Sequence, residues 1–162
     1  MASPQEVRDE LRKCGIEYVV WLPDSETRHM YDTLQADPHL KLVQVCREDE
    51  AIGVYLGLWV AGKEAVVLIQ NTGMFNATDA IRATALPLKM PLLLMVGYRT
   101  YHRMLKGTTA DTAPVYTEPI LKALGIPYYI MDINDDAGCI SKAYQQAQAT
   151  SGPVAVLMVG RE

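Results

Sequence analysis

The sequence predicts an α/β fold: a doubly wound, mostly parallel sheet of about six strands with helices on both faces. Short apolar runs alternate with helical segments, and Gly, Pro, Asp and Asn separate them. Several of the runs are apolar throughout, as strands that are covered on both faces must be. We therefore expect right-handed crossovers and a ligand crevice along the carboxyl ends of the strands.

Six apolar runs and six helical segments alternate along the whole chain. The runs are short and combine β-branched, leucine and tyrosine residues, which is typical of buried strands; they are 18–22, 41–45, 65–69, 91–96, 127–131 and 154–159. The intervening segments are predicted helices at 4–14, 26–35, 49–61, 76–86, 114–124 and 136–150. No internal repeat or linker interrupts the alternation, so residues 1–162 are predicted to form a single domain.

Composition and charge narrow the functional class. The 162 residues are 49% hydrophobic and carry a net charge of -4, enough apolar content to bury about two-thirds of the unfolded surface. There is no basic run for nucleic acid or a membrane surface, no apolar run long enough to span a bilayer and no signal pattern. We expect a cytoplasmic protein that binds a small molecule or a protein. Cys14, Cys46 and Cys139 lack paired spacing and are predicted to be reduced.

Several familiar catalytic motifs are absent from the sequence. There is no Gly-x-Gly-x-x-Gly after the first strand, no Gly-x-x-x-x-Gly-Lys-Ser/Thr and no Gly-x-Ser-x-Gly, which argues against dinucleotide, P-loop and serine-hydrolase sites. The histidines, His29, His39 and His102, lack the spacing of metal ligands. We therefore predict no metal ligand in this chain and expect its chemistry to come from a cofactor or a partner.

The ends of the first two strands carry acidic and hydroxyl side chains with two interpretations. Asp24 and Ser25 follow the first strand, where either residue caps the next helix or points into the crevice. Glu48, Asp49 and Glu50 follow the second strand. Acids in the first turn of a helix stabilise it through its dipole, whereas a carboxylate at a strand end is also placed to act on a ligand.

Longer polar segments follow the third and fourth strands. Residues 70–79 are predicted to begin as a polar loop, in which Gly73 lets the backbone approach a ligand and Asn76 caps the next helix. Residues 97–111 are predicted to form a long loop containing Arg99, His102 and Arg103. Local positive charge in an acidic chain suggests an anionic ligand, and a solvated loop is the alternative.

The order of these motifs resembles a known family. The sequence runs Val-x-x-x-Pro-Asp-Ser, then Arg-Glu-Asp-Glu-Ala with Gly57 nine positions after Glu48, then Gln-Asn-Thr-Gly-x-x-Asn and Pro-Leu-Leu-Leu-x-Val. This pattern resembles the pyrimidine-binding domain of thiamine diphosphate enzymes. Within that superfamily the chain is most similar to the α subunits of sulfopyruvate decarboxylases and to the corresponding half of phosphonopyruvate decarboxylases. The similarity spans nearly the whole chain.

The resemblance implies roles for individual residues. Glu48 matches the family's catalytic glutamate, with Ala51 and Gly57 at the matching offsets, and would relay a proton to the aminopyrimidine of thiamine diphosphate. Asp49 and Glu50 then keep only helix-end roles. The basic loop departs in detail from the family, and His102 has two interpretations, a surface-loop histidine or a residue that transfers a proton during the reaction. The remaining predicted contacts are Asn71, Thr72, Gly73 and Asn76 with the cofactor, and Asp24, Ser25, Arg99 and Arg103 with the substrate.

The resemblance also accounts for a missing motif. Family members bind the diphosphate through Mg²⁺ held by a Gly-Asp-Gly motif, and no Gly-Asp-Gly occurs here. The implied partner is a pyrophosphate-binding β subunit that contains this motif, so the active site would lie between chains of a hetero-oligomer. The implied reaction converts sulfopyruvate, or a similar anionic 3-sulfo or 3-phosphono 2-oxo acid, to an aldehyde and CO₂. The alternative is a non-catalytic doubly wound binding or regulatory module.

Overall fold

The computed structural model describes residues 2–132, 135 and 137–160, and it contains one six-stranded sheet. Every neighbouring pair of strands is parallel, and the order is β2-β1-β3-β4-β6-β5. The strands are β1 (Tyr18–Trp21), β2 (Lys41–Gln44), β3 (Ala65–Gln70), β4 (Leu93–Gly97), β5 (Tyr128–Met131) and β6 (Val154–Met158). The predicted parallel α/β sheet is therefore confirmed.

Helices connect the strands and cover both faces of the sheet. They are α1 (Pro4–Lys13), α2 (Tyr31–Gln35), α3 (Glu48–Val60), α4 (Asn71–Ala80), α5 (Tyr101–Leu105), α6 (Ala113–Ala123) and α7 (Gly138–Thr150). One hydrophobic core joins α1, α2 and α7 to one face, and a second core joins α3, α4 and α6 to the other. This arrangement explains the continuous apolar runs, since both faces of each central strand are buried.

The strand order reverses at β1. The chain passes from β1 to β2 on one side, and α3 then returns it to β3 on the other side of β1. In open α/β sheets, ligands bind in the crevice outside the carboxyl ends of the strands where such a reversal occurs. The amino-terminal end of α3 therefore lies at the expected ligand edge.

Three predicted segments differ from the structure by more than two residues or in their secondary structure. The polar loop predicted to open the 70–79 segment is wrong, because β3 ends at Gln70 and α4 begins at Asn71 instead of residue 76. Within the predicted 97–111 loop the chain forms α5. The helix predicted at 26–35 is α2 preceded by a 3₁₀ turn (Arg28–Met30), because Asp24 organises a turn before it. The start predicted for the last helix, residue 136, lies outside the described residues.

Two simpler features complete the fold. In the part of the chain that the structure describes, no disulfide joins Cys14, Cys46 and Cys139. In the described ranges, no helix has both the length and the apolar character that crossing a bilayer requires.

Candidate active site

The acidic triplet lies where α3 begins, and Glu50 is used by the helix itself. Arg47 has extended backbone with φ -144° and ψ 147°, and the helix starts at the next residue. The Glu50 carboxylate accepts hydrogen bonds from the backbone N–H groups of Cys46 at 3.0 Å and Arg47 at 3.1 Å. Free N–H groups at a helix start need such partners. Glu50 therefore has the helix-end role that the sequence suggests.

Asp49 is also occupied locally. Arg47 Nε donates to Asp49 Oδ1 at 2.9 Å, and Arg47 Nη2 donates to Oδ2 at 3.0 Å. This paired hydrogen bond with the guanidinium lowers the pKa of Asp49 and keeps the carboxylate ionised. Of the three acids, Glu48 is the one whose side chain reaches another element.

Glu48 is held against α4 by two residues that lie three positions apart. Asn76 Nδ2 donates a hydrogen bond to Glu48 Oε2 at 2.9 Å. Gly73 faces the same carboxylate, since a Cβ atom at Gly73 would lie 2.4 Å from Glu48 Oε1, closer than real Cβ contacts. Glu48 is half-buried and Asn76 is exposed. Glu48, Gly73 and Asn76 thus form one cluster, which we call the Glu48 cluster.

Asn71 and Thr72 begin α4 and point to different environments. Asn71 is fully buried, and its Nδ2 lies 3.3 Å from Thr117 Oγ1 and 3.4 Å from the carbonyl oxygen of Arg99. It therefore joins α4 to α6 and to the segment after β4, and its predicted cofactor contact stays a prediction. Thr72 is exposed beside the Glu48 cluster, and its hydroxyl donates to the Gln70 side chain.

Asp24 and Ser25 follow β1, and their side chains have different surroundings. Asp24 Oδ1 accepts hydrogen bonds from the backbone N–H groups of Glu26 at 2.7 Å and Thr27 at 3.0 Å, and Oδ2 accepts one from the Thr27 hydroxyl at 2.8 Å. Asp24 therefore organises the turn before α2. Ser25 is exposed and lines an open cleft of about 540 Å³ together with His29. The predicted substrate contacts of this pair stay predictions.

His102 is paired with a carboxylate that the sequence interpretation missed. His102 Nε2 lies 2.8 Å from Asp132 Oδ1 and 3.0 Å from Oδ2. Asp132 directly follows β5, so it obeys the same rule that singles out polar residues at strand ends. That position was the available signal in the sequence. The His102–Asp132 pair joins α5 to the end of β5, the edge strand opposite β2.

The two predicted anion-binding arginines differ in their surroundings. Arg99 Nε lies 3.3 Å from Asp111 Oδ2, and the Thr100 hydroxyl donates to the same oxygen at 3.1 Å. Arg103 has an exposed side chain, and its backbone carbonyl accepts a hydrogen bond from Thr108 N at 2.9 Å. Arg99 is therefore partly neutralised, while the Arg103 side chain faces solvent. Neither arginine is part of the Glu48 cluster.

The arrangement suits proton exchange with a ligand at the carboxyl edge. A half-buried carboxylate with one fixed hydrogen-bond donor keeps further acceptor positions for a ligand. Gly73 leaves the adjoining surface of α4 without a side chain. The sequence-predicted residues Glu48, Gly73 and Asn76 are brought together, whereas Ser25, Arg103 and His102 lie elsewhere along the same edge.

Known proteins match this chain over most of its length. Residues 5–118 match the family model described as thiamine pyrophosphate enzyme, N-terminal TPP binding domain. The chain is 27% identical to sulfopyruvate decarboxylase subunit alpha of Methanococcus maripaludis over 161 residues, covering 98% of this chain and 95% of the relative. It is 30% identical to the protein of the same name from Methanothermobacter thermautotrophicus over 132 residues, covering 78% and 76%.

Solved structures of longer enzymes share the fold. Benzoylformate decarboxylase from Polynucleobacter necessarius matches with a TM-score of 0.73 and 24% identity, over 98% of this chain and 30% of the longer one. The thiamine diphosphate-dependent 4-hydroxybenzoylformate decarboxylase of Rhodococcus jostii RHA1 matches with a TM-score of 0.79 and 19% identity, over 99% and 30%. The resemblance drawn from the motifs is confirmed. The chain belongs to the thiamine pyrophosphate enzyme family, as an N-terminal TPP-binding domain.

Proposed function

We propose that this chain is the α subunit, carrying the pyrimidine-binding domain, of a two-subunit thiamine diphosphate-dependent 2-oxo acid decarboxylase. Its substrate is sulfopyruvate or a similar 3-sulfo or 3-phosphono pyruvate, which is converted to an aldehyde and CO₂. Support comes from relatives named sulfopyruvate decarboxylase subunit alpha, one of which this chain matches over 95% of the relative's length.

The observation that carries the proposal is the contact between the Glu48 side chain and α4. Its carboxylate is fixed by Asn76 at 2.9 Å and faces Gly73 at the strand-order reversal. An aminopyrimidine is a flat ring with a ring nitrogen and an amino group, so it needs a hydrogen-bonding carboxyl group beside a surface free of side chains. The Glu48 cluster provides both features, and these residues therefore fit the cofactor.

Several residues of this chain would contact the cofactor or position a residue that does. Glu48, Thr72 and Gly73 would hold the aminopyrimidine, with Glu48 hydrogen-bonded to a ring nitrogen and exchanging its proton there. Asn76 would act on Glu48 by keeping Oε2 in place. When bound, thiamine diphosphate supplies the acidic carbon and the electron sink for loss of the carboxyl group. A proton that moves through Glu48 requires the carboxyl group to be within hydrogen-bond distance of the ring.

A second subunit would hold the diphosphate through Mg²⁺. The sequence has no Gly-Asp-Gly motif, and α3 offers a surface for such a partner. Residues 51–61 contain no charged residue, yet Gly53 and Gly57 are exposed and Val60 is 75% exposed. A helix that is apolar on all sides is normally covered on all sides. Because α3 starts at Glu48, a subunit that covers this helix would also reach the catalytic edge.

Substrate binding would use the exposed charge after β4. A sulfonate or phosphonate group pairs well with a guanidinium, which donates parallel hydrogen bonds. Arg103 is exposed, whereas Arg99 is already paired with Asp111. We therefore assign the larger share of anion binding to Arg103. Ser25 is exposed at the same edge and remains a second substrate contact in this proposal.

Reconstitution with the partner tests the function. The chain is co-expressed with a subunit containing Gly-Asp-Gly, and CO₂ and aldehyde release from sulfopyruvate is measured with thiamine diphosphate and Mg²⁺. We expect turnover from the assembly and none from this chain alone. Glu48→Gln should lower kcat by at least about 100-fold, while Asp49→Asn, the neighbouring acid, should retain activity. An intact assembly that binds the cofactor without turning over any 2-oxo acid would favour the non-catalytic alternative.

A further inference from the structure

A second acid and imidazole lie on the carboxyl edge, apart from the Glu48 cluster. Nε2 of His102 is within 3.0 Å of both oxygens of Asp132. The side chains are 21% and 39% exposed, so the pair is partly shielded from solvent but accessible to a ligand. An ionised carboxylate only accepts hydrogen bonds. The nitrogen that faces Asp132 must therefore carry the proton.

We propose that Asp132 is a positioning residue for His102. It fixes the orientation of the imidazole and keeps the proton of the neutral ring on Nε2, which leaves Nδ1 as the nitrogen that exchanges a proton with the substrate. The partner of one ring nitrogen sets the tautomer and hence the function of the other. This inference rests on the proposed decarboxylase function only for the role of Nδ1. The assignment of the proton to Nε2 follows from the contact with Asp132.

The surroundings of α5 restrict the ring further. The Tyr101 ring lies 5.7 Å from the His102 ring and 4.6 Å from the Tyr98 ring, measured between centroids. Tyr98 is buried, and its hydroxyl lies 3.2 Å from Glu118 Oε1. Burial raises the pKa of Tyr98 and keeps its hydroxyl protonated. This aromatic stack anchors α5 on one side while Asp132 holds His102 on the other.

The His102–Asp132 pair is placed to act on the same bound ligand as Glu48. In the sheet, β4 and β6 follow β3, and His102 reaches from the end of β4 across β6 to Asp132 after β5. Neighbouring strands are about 4.8 Å apart, so β6 lies roughly 10 Å from β3, whose following helix holds Glu48. A ligand that contacts Glu48 at one end and extends along this edge of the sheet would bring its other end toward His102. The two residues would then serve different atoms.

The first test reads the tautomer directly and needs no turnover. In ¹⁵N-labelled protein at alkaline pH, we expect Nε2 of His102 to show the chemical shift of a protonated nitrogen and Nδ1 that of an unprotonated one. His102→Gln assigns the signals. Asp132→Asn should move the proton partly to Nδ1, because the amide can donate to Nε2. Asp132→Glu should retain the proton on Nε2, and Asp9→Asn, which removes an exposed carboxylate on α1, should change nothing. An unchanged His102 tautomer in Asp132→Asn would refute the positioning role.

The second test measures the consequence in the reconstituted assembly. Asp132→Asn should lower kcat by about 10-fold to 100-fold, with KM changed by less than about threefold. The reason is that the His102 imidazole still contacts the substrate but presents the wrong nitrogen to it. Asp132→Glu should restore part of the loss. If the tautomer shifts while kcat stays at the wild-type level, the role of Nδ1 is refuted. If the wild-type assembly has no decarboxylase activity, the proposed function fails, and the tautomer measurement still decides whether Asp132 positions the ring.

Discussion

Replacing Gly73 by alanine directly tests whether the Glu48 side chain packs against α4. The new Cβ would lie 2.4 Å from Oε1, 2.5 Å from Cγ and 2.7 Å from Cδ of Glu48. The glutamate side chain must therefore leave its position, which breaks the 2.9 Å hydrogen bond from Asn76. Because Glu48 is half-buried, it can rotate toward solvent without disrupting the core. The main effect of the substitution is thus local to the Glu48 cluster.

The expected free energy follows from three contributions. Alanine in place of glycine stabilises a helix by about 0.5 to 1 kcal/mol. Against this, loss of the hydrogen bond costs about 0.5 to 1.5 kcal/mol, and a strained glutamate rotamer costs about as much again. Gly73→Ala alone should therefore change the free energy of unfolding by between about 0 and -2.5 kcal/mol. In a Glu48→Ala background the clash is absent, and the same change should stabilise the protein by about 0.5 to 1 kcal/mol.

A double-mutant cycle in urea measures the coupling between these residues. The free energy of unfolding is compared for the wild type, Gly73→Ala, Glu48→Ala and the double variant, and we expect a coupling of about 1 to 3 kcal/mol. Gly57→Ala is the matched control, because a Cβ there meets nothing within 4 Å. It should stabilise α3 equally in both backgrounds. Additive behaviour of Gly73→Ala and Glu48→Ala would refute the contact between Glu48 and α4.

Three further predictions concern stability and assembly. Asp37 is 3% exposed and pairs with two arginines of α1, so Asp37→Ala should lower the free energy of unfolding in urea by about 2 kcal/mol. Asp79→Ala, at a side chain that is 81% exposed, is the control and should change this free energy little. Equal effects of the two substitutions would contradict the role of burial. Burial and the hydrogen bond to Glu64 raise the pKa of Tyr144 to about 12 from 10.0, so its contribution to stability is present below pH 10 and lost as the pH rises toward 12. Tyr144→Phe should therefore lose less stability than the wild type between those pH values, which is measured as the free energy of unfolding in urea at a series of pH values. Parallel curves of this free energy against pH for the two proteins would argue against the linkage. Gly57→Glu on the exposed side of α3 should leave the isolated chain folded but weaken assembly with the partner by at least about 10-fold in sedimentation experiments, and unchanged affinity would exclude this face as the contact.

Sequence periodicity was sufficient for the sheet but not for the start of α4. The predicted strands correspond to the six observed ones because buried parallel strands are apolar on both faces. By contrast, Asn71 and Gly73 are residues that favour turns, and the sequence predicted a loop there. The structure places both inside α4 because Asn71 is buried and bonded to Thr117, which is 46 positions later. A contact so distant in sequence leaves no local pattern.

The candidate site shows the same division between local and distant information. Glu48 was identified from its place at a strand end and from the family resemblance, in which Ala51 and Gly57 lie at the matching offsets; both are local features of the sequence. Its hydrogen bond with Asn76 joins two helices, and the sequence suggested only a cap or a cofactor contact for that asparagine. Asp132 was missed because its partner His102 belongs to a short helix inside a predicted loop. Tertiary packing, not propensity, brings these pairs together.

Proton exchange on the bound cofactor tests the central claim about Glu48 most directly. The reconstituted assembly is loaded with thiamine diphosphate and Mg²⁺ in the absence of substrate, and exchange of the cofactor's acidic carbon-bound proton with deuterium is followed by rapid quenching and NMR. We predict that Glu48→Gln slows this exchange by at least about 100-fold, while Asp49→Asn stays within about threefold of the wild type. Exchange at the wild-type rate in Glu48→Gln, with the cofactor bound, would contradict the assignment of Glu48 as the residue that relays the proton.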